Sequence, residues 1–155
     1  MPYLIATDEA GLGPNLGPLV VSATVWELPE GTAAGDLFEV LGDSIASSAT
    51  EADAERFAVA DSKQLYRPGG SRRHLERGVL VALRSLQKCA KSWRALFDEL
   101  DPCSSEYRDS IPWYAGYDEP IPLDAADDEL EPLCRRFLEV AKSRGVQLHS
   151  MRSRV

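Results

Sequence analysis

Two apolar runs separated by a glycine- and proline-rich break open the chain. Tyr3-Leu4-Ile5-Ala6-Thr7 predicts a strand of four or five residues, and Leu19 to Leu28, rich in β-branched residues, predicts a longer one. Between them stand Asp8-Glu9 and then Gly11, Gly13, Pro14, Gly17 and Pro18. The acidic dipeptide therefore falls at the end of what reads as a buried strand. Successive side chains of a strand face opposite ways, so Asp8 and Glu9 share one site only if the backbone turns there. The glycines and prolines that follow are the residues that make such a turn.

Downstream the period changes to helical. Leu37, Phe38, Leu41 and Ile45 predict a short helix over 36–46, and a second is expected over 50–59 with Thr50 as its N-cap. From Ser71 onward, Leu75, Val79, Leu83, Leu86, Ala90, Trp93 and Phe97 recur every three or four residues, which predicts one long helix. Trp93 reads as a core residue rather than a platform for stacking bases. Pro112, Pro120 and Pro122 argue against a continuous helix or central strand in the acidic stretch 98–128, whose aromatics either pin an ordered loop or form a partner surface. A last helix is capped by Asp128, turns Leu130, Leu133, Phe137, Leu138 and Ala141 inward, tolerates Pro132 near its start and ends at Gly145. The final segment to Val155 reads as a strand with His149, Met151 and Ser153 on one face, His149 being a satisfied sheet residue rather than a metal ligand.

The fold class expected from this order is α/β, in one domain over residues 1–155 with insertions at 31–58 and 98–128. The first insertion is read as a surface excursion, the alternative being a lid beside a substrate. A length of 155 residues with 44% hydrophobic content suffices for a single core. No apolar run spans a membrane, and the N-terminus lacks the basic and apolar regions of a secretory signal, so a cytoplasmic protein without membrane partners is expected. Cys89, Cys103 and Cys134 have no metal-binding spacing, and only His74 and His149 are available beside them, which disfavours zinc sites and Ser-His or Cys-His hydrolases.

Charge is blocked along the chain. The net charge of −8 divides into −9 over residues 1–66, +7 over 67–94, −11 over 95–131 and +5 over 132–155. Arg72, Arg73, Arg77, Arg84, Lys88, Lys91 and Arg94 on the long helix are either the electrostatic footprint of a nucleic-acid backbone or a solvated face.

The stretch after the first strand carries the chemistry. Adjacent carboxylates before a glycine-lined loop suit oxygen-preferring divalent cations, and Mg²⁺ in particular takes one or two carboxylates together with substrate phosphates. The glycines do not make a dinucleotide fingerprint: their spacing is G-x-G-x-x-x-G, and a strand follows where a helix should receive the pyrophosphate. No lysine follows as in a Walker loop.

The order Asp8-Glu9-Ala10-Gly11-x-Gly13-Pro14-x-x-Gly17-Pro18, a Val-rich strand, then Asp61-Ser62-Lys63-x-Leu65 resembles the N-terminal half of type 2 ribonuclease H (ribonuclease HII). The likeness covers residues 3 to 28 and 59 to 86. It implies a ribonuclease H-like mixed β-sheet flanked by helices. The implied activity is cleavage of the RNA strand of RNA–DNA hybrids, or at ribonucleotides in DNA, with Mg²⁺ or Mn²⁺. It further implies that Asp8 and Glu9 are catalytic metal ligands, two of four carboxylates. Gly11, Leu12 and Gly13 would recognise the ribose 2′-hydroxyl, the group that distinguishes RNA from DNA. Ser62 and Lys63 would approach a substrate phosphate, as hydroxyl donor and point charge.

Two departures qualify the likeness. Leu12 stands where the common pattern has Arg, and a butyl group makes none of a guanidinium's hydrogen bonds. The third and fourth carboxylates have no counterpart before Val155, so the chain is read as a fragment or a divergent relative lacking the C-terminal part of the fold. The competing readings are a catalytically incomplete domain of the same fold that binds nucleic acid or a protein partner, and an acidic interaction domain whose turn imitates the motif. Asp61 is expected to fix its loop or cap the next helix rather than complete a metal cage. A terminal strand would leave an edge open to self-association.

Overall fold

The computed structural model describes residues 1–10, 19–33, 37–103, 105–112 and 114–154. Along the chain come strands β1 (Tyr3–Ala10) and β2 (Val20–Glu27), helix α1 (Leu37–Val40), and the short strands β3 (Ile45–Ala46) and β4 (Phe57–Ala58). Helices α2 (Ser62–Leu65), α3 (Arg73–Ser85), α4 (Trp93–Leu100), α5 (Ser105–Ser110) and α6 (Asp127–Ser143) follow, and strand β5 (Gln147–Arg154) comes last. The protein is α/β. Its main sheet has the order β1-β2-β5 and is wholly antiparallel, while the parallel pairing among the described residues belongs to β3 and β4.

One face of the sheet is covered. Leu4 pairs with Trp26 and Trp26 with Leu148, while Thr24 pairs with Met151, and these rows meet α3 and α6. Phe137 of α6 sets its ring edge-on against Trp26 at 6.3 Å and against Phe57 at 5.7 Å, joining helix, sheet and β4. Leu130, Leu133, Val81 and Leu83 are fully buried between the two helices. The apolar stripes at three- and four-residue spacing put these residues there, as an amphipathic helix requires.

Several expected elements take another form. The strand at Asp8 is not buried: every described β1 side chain except half-buried Leu4 is exposed, and among the described strands β1 is the sheet edge. The helix expected over 50–59 is replaced by a turn into β4. Asp53 Oδ1 accepts the N–H groups of Glu55 and Arg56 at 2.9 and 2.8 Å, offering the backbone an alternative to helix, and Thr50 caps nothing. Residues 31–58, expected as a surface insertion, bury Leu41, Ile45, Ala46, Phe57 and Ala58.

The single long helix is two. At the end of α3, Gln87 adopts φ 61°, and the N–H of Lys88 returns to Leu83 O at 3.0 Å, which closes the helix with a left-handed residue. Ser92 then caps α4, its hydroxyl accepting the Ala95 N–H at 3.3 Å. The N-cap of helix α6 is Ala126 rather than Asp128, with Glu129 reaching back to accept the Ala126 N–H at 3.0 Å, and Leu138 is exposed. Gly145 ends it at φ 67°, as glycine after a helix commonly does.

On β5 a bulge moves one residue. Val25 faces Ser150 but Trp26 faces Leu148, so His149 leaves the face of Met151 and Ser153. Its Nε2 lies 2.6 Å from Glu27 Oε2 and its ring 5.5 Å from Tyr3, so it is a sheet histidine with partners. No described helix is long and apolar enough to cross a membrane.

Candidate active site

Strand β1 runs straight through the acidic dipeptide. Asp8 pairs with Ser22 and Glu9 with Val21, so the alternation of the strand sends the two carboxylates to opposite faces. Asp8 lies on the helix-covered side, in one row with Ser22 and Ser153, whose hydroxyls are 2.8 Å apart. Glu9 lies on the open side, in one row with Val21 and Arg154. The turn expected at Asp8-Glu9 does not occur within the described residues, and the carboxylates diverge. Both are exposed, and Asp8 Oδ1 accepts the Glu9 N–H at 3.0 Å. Among the described residues no Arg, Lys or His forms an ion pair with either. Gly11, Leu12 and Gly13 lie outside the described residues.

Ser62 and Lys63 open α2, and both are exposed. Asp61 caps that helix, its Oδ1 accepting the Lys63 N–H at 2.8 Å, so this carboxylate holds backbone as expected. An apolar cavity of about 420 Å³ relates this segment to the sheet: Ala6 of β1 lines it together with Val59, Ala60 and Leu65. Asp8 is two residues beyond Ala6 on the same face, roughly 7 Å further along the strand. Asp8 and the 59–65 segment thus share one side of the sheet. Glu9 does not.

Sequence reasoning missed His74, which also lines the cavity. Burial, and then the charges of Arg77 and Arg73, hold its pKa below the usual imidazole range, and its buried Nδ1 has no hydrogen-bond partner among the described residues. No motif marks it, because the cavity is built from residues remote in sequence.

The basic helix face is consumed inside the molecule. Arg73 bonds Glu129, Arg84 and Lys91 both bond Asp127, Lys88 pairs with Glu99 at 3.1 Å, and Arg94 pairs with Asp109 at 2.7 Å. Arg77 is buried and bonds Asp53 O. Glu76 works in the same way from the other side, accepting the N–H groups of Leu123, Asp124 and Ala125 at 2.7 to 2.8 Å. Most of the positive block over 67–94 is therefore counter-charge for the negative block that follows. Trp93, expected as a core residue, is half-buried and outside the main core; its ring lies 4.6 Å from Phe97, 5.2 Å from Tyr114 and 5.1 Å from Tyr117, and so pins the acidic loop.

This staple makes stability depend on pH. The Arg73 hydrogen bond holds Glu129 below the usual glutamate range against the opposing effect of burial, with the Ala126 N–H and the Arg77 and Arg73 charges adding. Asp127 is lowered by its bonds from Lys91 and then Arg84. A carboxylate depressed in the folded state stabilises it above its unfolded pKa and loses that contribution as pH falls through the folded value. Urea midpoints are expected to hold level above about pH 5 and to fall in acid. Glu129→Gln should lower the neutral midpoint and flatten the acid limb; an unchanged pH profile would show that Glu129 is not a staple.

The donor types at β1 are those a hard divalent cation takes, exposed oxygens without a competing cation among the described residues, although the two carboxylates do not converge. Among those residues no group of three or more His, Cys, Asp or Glu side chains stands close enough to hold a metal, so protein ligands would number one or two, as Mg²⁺ accepts when phosphates and waters complete its shell. No protein-family model matches this chain, and neither a curated protein nor a solved structure does so.

Proposed function

We propose that this chain is a ribonuclease H type 2-like domain with a ribonuclease H-like fold, and that it hydrolyses the RNA strand of RNA–DNA hybrids, or cuts at ribonucleotides in DNA, with Mg²⁺ or Mn²⁺. The observation that carries the reading is the placement of Asp8, exposed and without a cationic partner among the described residues, on the same side of the sheet as the Asp61-capped Ser62-Lys63 turn. Asp8 ligates the cation, with Glu9 as the second ligand. Because β1 is the edge strand, no neighbouring strand among the described residues separates its two faces on that side. A divalent cation there would lower the pKa of an attacking water and offset charge on the leaving oxygen. Ser62 donates its hydroxyl to a phosphate and Lys63 brings its charge, while Gly11, Leu12 and Gly13 meet the ribose 2′-hydroxyl.

The divergence of Asp8 and Glu9 favours a second reading, a catalytically incomplete domain of this type that binds nucleic acid or a protein partner. Cleavage of end-labelled duplexes, one with a single ribonucleotide and one an RNA–DNA hybrid, separates the two. On the first reading, cuts require Mn²⁺ or Mg²⁺, Asp8→Asn reduces them by about a hundredfold or more, and Lys63→Ala raises KM more than it lowers kcat. A folded chain that binds these duplexes but leaves them intact in both metals overturns the first reading and keeps the second.

A further inference from the structure

The face of the sheet turned away from α3 and α6 carries exposed apolar side chains among charged ones, Glu9, Glu27, His149, Arg152 and Arg154. Tyr3 and Ile5 of β1 are 63% and 66% exposed, Val21 of β2 is 40% exposed, and Leu19, just before β2, is 47% exposed. All four occupy odd-numbered positions, opposite in facing to Leu4 and Trp26, which pack on the core. Together they expose on the order of 400 Å², the size of patch that on a small protein marks an interaction site.

Charge on this face has a direction. In the row across the sheet, Glu9 of β1 faces Val21 of β2, and Val21 faces Arg154 of β5. An acid thus stands at one edge and a base at the other, with an apolar residue between. Arg154 bonds Asp101 Oδ1 at 3.0 Å yet keeps 67% of its side chain exposed. A two-fold axis parallel to the strands, midway between two such faces, turns the β1 edge of one copy over the β5 edge of the other. The same operation brings Glu9 over Arg154 twice, and Val21 over Val21.

We propose that this face packs against the same face of a second copy of the chain, as two sheets about 10 Å apart. The arrangement is isologous, so each contact occurs twice and the assembly closes at two copies. The exposed apolar side chains supply about half of the ~800 Å² that a stable interface takes from each partner, and the charged rims and backbone around them supply the remainder. Glu9 cannot face Arg154 of the other copy and hold a cation at once, so the measurement is made without divalent metal.

Sedimentation equilibrium should give twice the chain mass. Ile5→Asp places a charge within the packed face and should give the monomer mass with an unchanged far-UV circular dichroism spectrum, since Ile5 projects away from the core. Glu9→Arg should raise the dissociation constant at least about tenfold, and adding Arg154→Glu should recover it. A wild-type chain that sediments as a monomer overturns the proposal. So does an Ile5→Asp dimer as tight as wild type, or a charge exchange that fails to restore what Glu9→Arg removes.

Discussion

Phe137→Ala should cost about 3 to 5 kcal/mol, the range for truncating a buried aromatic to alanine. Against a total of about 5 to 15 kcal/mol for a domain of this kind, that loss leaves a large unfolded fraction. The reason is position as well as area. Phe137 is the ring through which α6 meets both Trp26 of β2 and Phe57 of β4, at edge-to-face distances that add to simple burial. Its removal opens space beside a cavity that Phe137 already lines with Trp26 and Phe57, so the gap joins an existing one rather than closing by collapse. Leu138, one residue on and exposed, is the internal comparison: Leu138→Ala should change stability by less than about 0.5 kcal/mol. Urea unfolding of the two variants checks both. A Phe137→Ala midpoint close to that of Leu138→Ala would mean that α6 does not hold the sheet through this ring.

That pair also shows what could be read from sequence. Phe137 and Leu138 are adjacent, both apolar, and both fit a helical stripe within one residue's tolerance. The stripe that α6 buries runs through Leu130, Leu133, Cys134, Phe137, Val140 and Ala141, and Leu138 lies off it. Periodicity found the helix but not the boundary of its face. The strands β1, β2 and β5 were legible for the same reason, since apolar alternation has no other use. What alternation could not reveal is that β1 is an edge: Tyr3 and Ile5 look like core residues, and only the absence of a described helix over them makes them surface. The break between α3 and α4 was hidden because Leu86, Ala90 and Trp93 keep helical spacing across it, while a non-glycine residue, Gln87, takes the left-handed conformation that stops the helix.

The candidate site was legible in part. Asp61 reads as a cap because Asp followed two residues later by a helical N–H is a local pattern, and the cap is where the structure places it. The Asp8-Glu9 pair was legible as a strand end, but the number of residues by which β1 runs on before turning depends on its pairing with β2, eight residues deep, and no local signal counts them. The charge blocks were visible and their purpose was not. Arg73 meets Glu129 across 56 positions of sequence, so a basic face made for an internal acidic partner looks the same, read locally, as one made for phosphates.

The buried cation in that system gives the second large effect. Arg108 is 3% exposed, donates from Nη2 to Asp98 Oδ1 at 2.7 Å, and lies 5.8 Å from the centres of the Trp93 and Phe97 rings. Its Nε and Nη1 are buried and meet no hydrogen-bond partner among the described residues. Removing the anion that bonds it leaves a buried guanidinium without its nearest counter-charge. Asp98→Ala should therefore cost about 3 kcal/mol, the lower end for breaking a buried pair, because the Asp98 carboxylate itself is 57% exposed and the ring faces retain some attraction for the cation. Arg108→Met removes the charge and both unpartnered donors while keeping most of the volume, and should be neutral or stabilising by about 1 kcal/mol. In the double variant Asp98→Ala should then cost little, since an exposed carboxylate without its cation only returns to water. A double-mutant cycle in urea measures the coupling. If Asp98→Ala alone lies within about 0.5 kcal/mol of wild type, the guanidinium is hydrated in solution and the aromatic loop over 105–117 is looser than its ring contacts imply.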